Sequence, residues 1–134
     1  SKRKSRIHIV GFVNEALKKQ LYTSASAFLF ASFYEGFGLP VLEAQSFGLP
    51  VIVSQTSCLP EVAGQEALLI DPQSPRDICD KMIELAKNTK LRSFLIKKGY
   101  ENIERFSWEK CAKEWEDVKG FDEANVARKE CGTK

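Results

Sequence analysis

The chain has 134 residues, 43% of them hydrophobic and 28% charged, with a formal net charge of +2. That is enough chain for one domain with a real core, and the composition is that of an ordinary soluble globular protein. The small net charge points to neither a nucleic acid nor an acidic partner, and no apolar run approaches the roughly 20 residues that cross a bilayer.

The cluster Lys2-Arg3-Lys4-Ser5-Arg6 reads either as a phosphate or nucleic-acid arm or as a solvated terminus, and the second is expected. Residues Arg6–Val13, rich in β-branched side chains, predict a strand ending in a loop. Asn14 is placed to cap a helix through Tyr22, with Leu17 and Leu21 on one face. The unbroken apolar run Ala27–Ala31 suits a parallel strand buried on both faces. Pro40 opens a helix over Val41–Phe47, because its missing N–H had no partner there, and Gly48 is its left-handed stop.

Pro50–Ser54 is the next buried strand. A short helix around Pro60–Ala63 is closed by Gly64, and Ala67–Ile70 is the last strand, broken by Asp71-Pro72. Ser74 caps a helix that starts at Pro75 and carries an apolar face of Ile78, Met82, Leu85 and Ala86. Leu91, Leu95 and Phe94 serve the following helix. Ser107 caps a final one with Trp108, Cys111, Ala112, Trp115 and Val118 at helical spacing, where core packing is expected of both tryptophans. Strands that alternate with helices imply an α/β layered fold with a mostly parallel sheet. Residues 1–119 read as one domain and 120–134, dominated by charges and glycine, as a loose tail.

In open parallel sheets ligands bind outside the carboxyl ends of the strands. The loop Ser32–Leu39 lies there, between a buried strand and a helix start. Gly36 and Gly38 lack a Cβ and let backbone approach a ligand. The helix start adds unpaired N–H groups and partial positive charge, a ready site for phosphate. Glu43, one turn inside the helix, is suited to a ribose diol, and Glu35, in the loop, to sugar hydroxyls. Each residue also has a plain reading: Glu43 as a helix-dipole charge, Glu35 as a loop acid, the glycines as turn formers. Their order, strand, Glu-Gly-Phe-Gly, Pro, helix, argues against coincidence. Tyr34 and Phe37 have two readings, stacking on a base or sugar and ordinary packing. Glu61 is taken as structural.

The four cysteines, Cys58, Cys79, Cys111 and Cys131, are scattered, and His8 is the sole histidine, so no metal site is expected. His8 reads as an ordinary strand residue. Scattered thiols without a leader suggest a reducing, cytoplasmic setting.

Two glutamates separated by seven residues, Glu35 and Glu43, around Gly-Phe-Gly-Leu-Pro resemble the E-x7-E signature of family 4 retaining glycosyltransferases, glycosyl transferases group 1, which have the GT-B fold. Val10–Leu17, Phe47–Ser54, Ser57–Val62 and Phe106–Glu109 are similar to the family's flanking segments, and the resemblance covers about residues 7–118. It implies a Rossmann-like parallel sheet with flanking helices, the partial C-terminal, nucleotide-sugar-binding domain of such an enzyme. By carry-over, Glu35 faces the donor sugar and is the catalytic candidate. The backbone of Gly36, Phe37, Gly38 and Leu39 contacts sugar and diphosphate, and Glu43 holds the ribose. No metal and no cofactor are implied; the nucleotide-diphosphate sugar is substrate, its base open.

The resemblance further implies a hexosyl group transferred with retention to an acceptor held by a missing N-terminal domain, with this chain alone inactive. The first strands of the domain and a basic pair for the diphosphate also have no counterpart here, and Lys2, Arg3 and Lys4 lie too late to supply it. Missing strands would leave sheet edges open to self-association. The expected partners are thus the donor, the acceptor domain, a second copy of the chain and, for the full enzyme, peripheral contact with the inner face of the cell membrane. A nucleotide-sugar epimerase or phosphorylase is a second enzyme reading. A non-catalytic nucleotide-sugar-binding or docking module that needs a partner chain is the alternative from another class.

Overall fold

The computed structural model describes residues 6–64 and 66–106. Lys2, Arg3 and Lys4, the helix expected from Ser107 with its two tryptophans, Cys111 and Cys131, and the 119/120 boundary lie outside the described residues. In chain order the elements are α1 (Glu15–Ser24), β1 (Phe28–Phe30), α2 (Leu39–Ser46), β2 (Val51–Ser54), α3 (Leu59–Ala63), β3 (Leu68–Ile70), α4 (Pro75–Lys87) and α5 (Thr89–Glu104). The three strands form one parallel sheet in the order β1-β2-β3, with Phe28 opposite Val51 and Ile52 opposite Leu68.

The helix boundaries follow from local chemistry. Asn14 Oδ1 accepts the Leu17 N–H at 2.8 Å, and Ser74 Oγ accepts that of Asp77 at 3.1 Å. Prolines stand in the opening positions of α2, α3 and α4, where the missing N–H costs no intrahelical hydrogen bond. Gly48, at φ 74°, ends α2. Its N–H bonds the Gln45 carbonyl at 3.0 Å while the Leu49 N–H bonds that of Ala44 at 3.1 Å, the paired closure a left-handed residue makes possible.

All four residues of β2 are buried. Because successive strand side chains point to opposite faces, Val51 and Val53 join Val41, Ala44, Leu49, Leu59 and Ala63 under α2 and α3. Ile52 joins Ile70, Leu85 and Leu95 under α4 and α5. One central strand thus feeds two cores and makes three layers.

Four expectations are corrected. Arg6–Val13 forms no strand: residues 7–10 stay outside the sheet, with Ile9 and Phe12 almost fully exposed. β propensity needs a partner strand to satisfy its backbone, and none lies beside this segment among the described residues. The run Ala27–Ala31 is not buried on both faces; among the described residues β1 is an edge strand, with Phe28 and Phe30 half-buried and Leu29 exposed. On α4 and α5 Leu85 and Leu95 reach the core, but Met82, Ala86 and Phe94 are exposed. Tyr22, not Leu17 or Leu21, anchors α1, through ring contacts with Phe28 and Phe47 at 5.7 and 5.4 Å.

Candidate functional site

Parallel strands end at one edge of the sheet, so the loops after β1 and β2 lie side by side. The β1 loop carries Glu35, Gly36, Phe37 and Gly38 directly into α2. A Cβ at Gly36 would meet nothing within 4 Å, which leaves its backbone open to a ligand. Gly38 is buried at φ 80°, and a Cβ there would come within 3.0 Å of the Leu59 side chain. Only glycine meets both demands.

The start of α2 offers fewer donors than expected. Pro40 has no N–H, and that of Val41 bonds the Gly38 carbonyl at 3.0 Å. Of the first three helical residues, Leu39 alone keeps an N–H without an intrachain acceptor among the described residues.

Glu35 is half-buried and held from two sides. Ser32 Oγ donates to its Oε1 at 3.1 Å. Ser57 Oγ donates to its carbonyl at 3.0 Å and accepts its N–H at 3.4 Å, and the Cys58 thiol donates to the same carbonyl at 3.3 Å. Tyr34 and Phe37 beside it are both exposed, and Phe37 also meets Phe106 edge-on at 5.9 Å.

Glu43 is the fifth residue of α2, beyond the first turn, so the helix-dipole reading carries little weight. Its carboxylate faces α1, with Lys18 Nζ 3.4 Å from Oε2. Lys18 also holds Glu15 at 2.9 Å, and the Glu15 bond first, then Glu43, pushes the ammonium above its usual pKa. A depression of about 330 Å³ between α1 and α2 is lined by Glu15, Lys18, Lys19, Tyr22, Glu43 and Phe47. Burial first, and the negative charge of Glu43 second, raises the Tyr22 phenol. Glu35 and Glu43 therefore flank the start of α2 without a shared hydrogen-bond partner among the described residues.

Sequence reasoning missed a buried polar network behind this site. Gln45 Nε2 donates to the Ala63 carbonyl at 2.8 Å. Asn102 Nδ2 donates to Gln45 Oε1 at 2.7 Å and to the Val62 carbonyl at 2.8 Å. Arg105 donates to Asn102 Oδ1 and to the Glu61 carbonyl. The network ties α2, which bears Glu43, to α3 and α5. The available signal was periodicity: Gln45 continues the buried stripe of Val41 and Ala44, and Asn102 that of Leu95 and Gly99. Lys18 had no such signal, because its partner lies on another helix. His8 is exposed and outside the sheet. Among the described residues, no three His, Cys, Asp or Glu side chains group as a metal site, and no helix is long and apolar enough to cross a membrane.

Residues 2–102 match the family described as Glycosyl transferases group 1. The chain is 37% identical over 109 residues to O-antigen chain mannosyltransferase B of Escherichia coli, covering 81% of this chain and 29% of that protein. It is 30% identical over 116 residues to an uncharacterized glycosyltransferase of Methanocaldococcus jannaschii, covering 84% of this chain and 30% of that one. Among solved structures, it resembles the C-terminal domain of a glycosyl transferase group 1 family protein from Francisella tularensis, with a TM-score of 0.62 and 31% identity over 70% of this chain and 50% of that one. It also resembles sucrose-phosphate synthase from Thermosynechococcus elongatus, with a TM-score of 0.74 and 25% identity over 97% of this chain and 31% of that one. The chain spans about 30% of the length of these two curated relatives.

Proposed function

Because this chain belongs to the glycosyl transferases group 1 family, we propose that it is the donor-binding part of a retaining hexosyltransferase and holds a nucleotide-diphosphate sugar at the start of α2. Its helix-flanked parallel sheet is the Rossmann-like architecture of a GT-B C-terminal domain. The observation that carries the reading is the placement of Glu35 and Gly36–Gly38 on the loop that leaves the carboxyl end of β1 and runs straight into α2.

In this reading Glu35 accepts hydrogen bonds from sugar hydroxyls, charge-assisted and therefore stronger than neutral ones. The backbone of Gly36–Leu39 lies against sugar and diphosphate, with the Leu39 N–H as the free amide. Glu43 accepts hydrogen bonds from the ribose diol in the α1–α2 depression, and Lys18 aims its carboxylate. The reaction breaks the bond between the anomeric carbon and the diphosphate, and charge grows on the leaving oxygens. Fixed donors aimed at that charge lower the barrier; in this reading the Leu39 N–H supplies one and the others come from outside this chain. The acceptor is positioned by a separate N-terminal domain, and transfer depends on it. The Escherichia coli relative, a mannosyltransferase by name, makes mannosyl the first sugar to test.

The test is a thermal shift of the chain with uridine, guanosine and adenosine diphosphates and their sugars, mannosyl forms among them. A ligand at a hundred times its dissociation constant stabilises by about 2.7 kcal/mol, roughly 10 °C for a domain of this size. A shift with one base, lost in Glu43→Ala, is expected. No shift with any of these ligands would overturn the reading.

A further inference from the structure

Three consecutive side chains of the β2 loop hold the backbone of the β1 loop. Thr56 Oγ1 donates toward the carbonyls of Ser32 and Phe33, 3.4 and 3.3 Å away. Ser57 and Cys58 both bond the Glu35 carbonyl. Ser57 does more, because a hydroxyl has one donor and two lone pairs. It engages the C=O and the N–H of the same residue, at 3.0 and 3.4 Å. Gripping both polar groups of one residue fixes the direction in which that residue's side chain leaves the backbone. The Ser32 hydroxyl, shared between the Tyr34 carbonyl at 3.0 Å and Glu35 Oε1 at 3.1 Å, steadies the far end.

Ser57 adopts φ 59°, the single positive φ outside glycine among the described residues. Side chains resist that region, and such conformations persist where the surroundings over-determine them. Ser57 is exposed and belongs to neither core, so core packing does not account for a serine in this strained turn.

We propose that Ser57 is a positioning residue for Glu35: its hydroxyl sets the Glu35 backbone so that the carboxylate meets the donor sugar. The inference rests on the donor-site reading above. It predicts a selective defect, since the nucleotide half of the ligand is held by α2 and Glu43, away from Ser57.

The test measures, by titration calorimetry on the whole chain, affinity for the nucleoside diphosphate identified by thermal shift and for its sugar conjugate. Wild type, Ser57→Gly, Ser57→Thr and Glu35→Ala are compared. Glycine accepts φ 59° freely but has no hydroxyl. Ser57→Gly is expected to keep its melting temperature and its affinity for the bare diphosphate, and to lose about tenfold in affinity for the sugar form, as Glu35→Ala does. Ser57→Thr keeps the hydroxyl and is expected to melt lower, because a β-branched residue resists left-handed backbone, while it retains the preference for the sugar form. Full sugar preference in Ser57→Gly, alongside its loss in Glu35→Ala, overturns the role of Ser57 and leaves the donor site standing. Preference retained in both variants, or no nucleotide binding by the wild type, overturns the donor-site reading and the inference with it.

Discussion

Replacing Asn102 with alanine removes four hydrogen bonds at one buried point. Asn102 is 6% exposed. Its Nδ2 serves Gln45 Oε1 and the Val62 carbonyl, and its Oδ1 receives the Arg105 guanidinium at 2.9 and 2.6 Å. Arg105 keeps the Glu61 carbonyl at 2.8 Å and is exposed, so water replaces most of what it loses. Gln45 Oε1 and the Val62 carbonyl are stranded instead, and each unsatisfied buried acceptor costs about 1–3 kcal/mol. The side chain borders a depression of about 290 Å³ that also touches Lys98 and Glu101, which eases the entry of water. The lower part of the range applies, a total of about 3 kcal/mol. Urea unfolding followed by far-ultraviolet circular dichroism would show it as a lowered midpoint at unchanged slope, and melting would fall by roughly 11 °C. Asn102→Asp satisfies Arg105 but offers no donor to the two acceptors, and is expected to be at least as damaging at neutral pH. A loss below about 1 kcal/mol in the alanine variant, or wild-type stability in the aspartate variant, would refute the account.

Gly48→Ala places a Cβ against the Tyr100 hydroxyl at a φ of 74°. A loss of about 1–3 kcal/mol is expected from the backbone conformation alone, and adding Tyr100→Phe should return only the steric part, as read from melting temperatures. Alkali provides a separate check. The Tyr22 phenol is raised by burial and then by Glu43, and Lys18 is raised by Glu15 and then by Glu43. A folded pKa above the unfolded one contributes stability that is complete below the unfolded value, about 10 for tyrosine. That contribution disappears as pH rises through the folded value. Urea midpoints should therefore fall above about pH 10, more gently in Tyr22→Phe; an unchanged slope in that variant would remove Tyr22 as a cause.

The elements legible in the residues are those whose cause lies within one turn of chain. The caps Asn14 and Ser74, the opening prolines and the stop at Gly48 each act on a backbone group three or four positions away, so their effect can be read without knowing the fold. The order of Glu35, the glycines, Pro40 and Glu43 is likewise local, and it sufficed to mark the candidate loop and the helix that follows it. The strand expected at Arg6–Val13 failed because a strand is completed by a partner, and β propensity says nothing about whether one arrives. The burial of β1 failed for the same reason: an edge position is a property of the sheet. Lys18 reaches Glu43 from another helix, Ser57 reaches Glu35 across 22 positions, and Asn102 reaches Gln45 across 57. The sequence by itself determined the α/β class, the resemblance to the family and the residues proposed to meet a donor. Tertiary structure alone decided which groups hold those residues in place, because the parallel sheet brings distant loops to one edge and sets their hydroxyls, ammonium groups and amides within bonding distance.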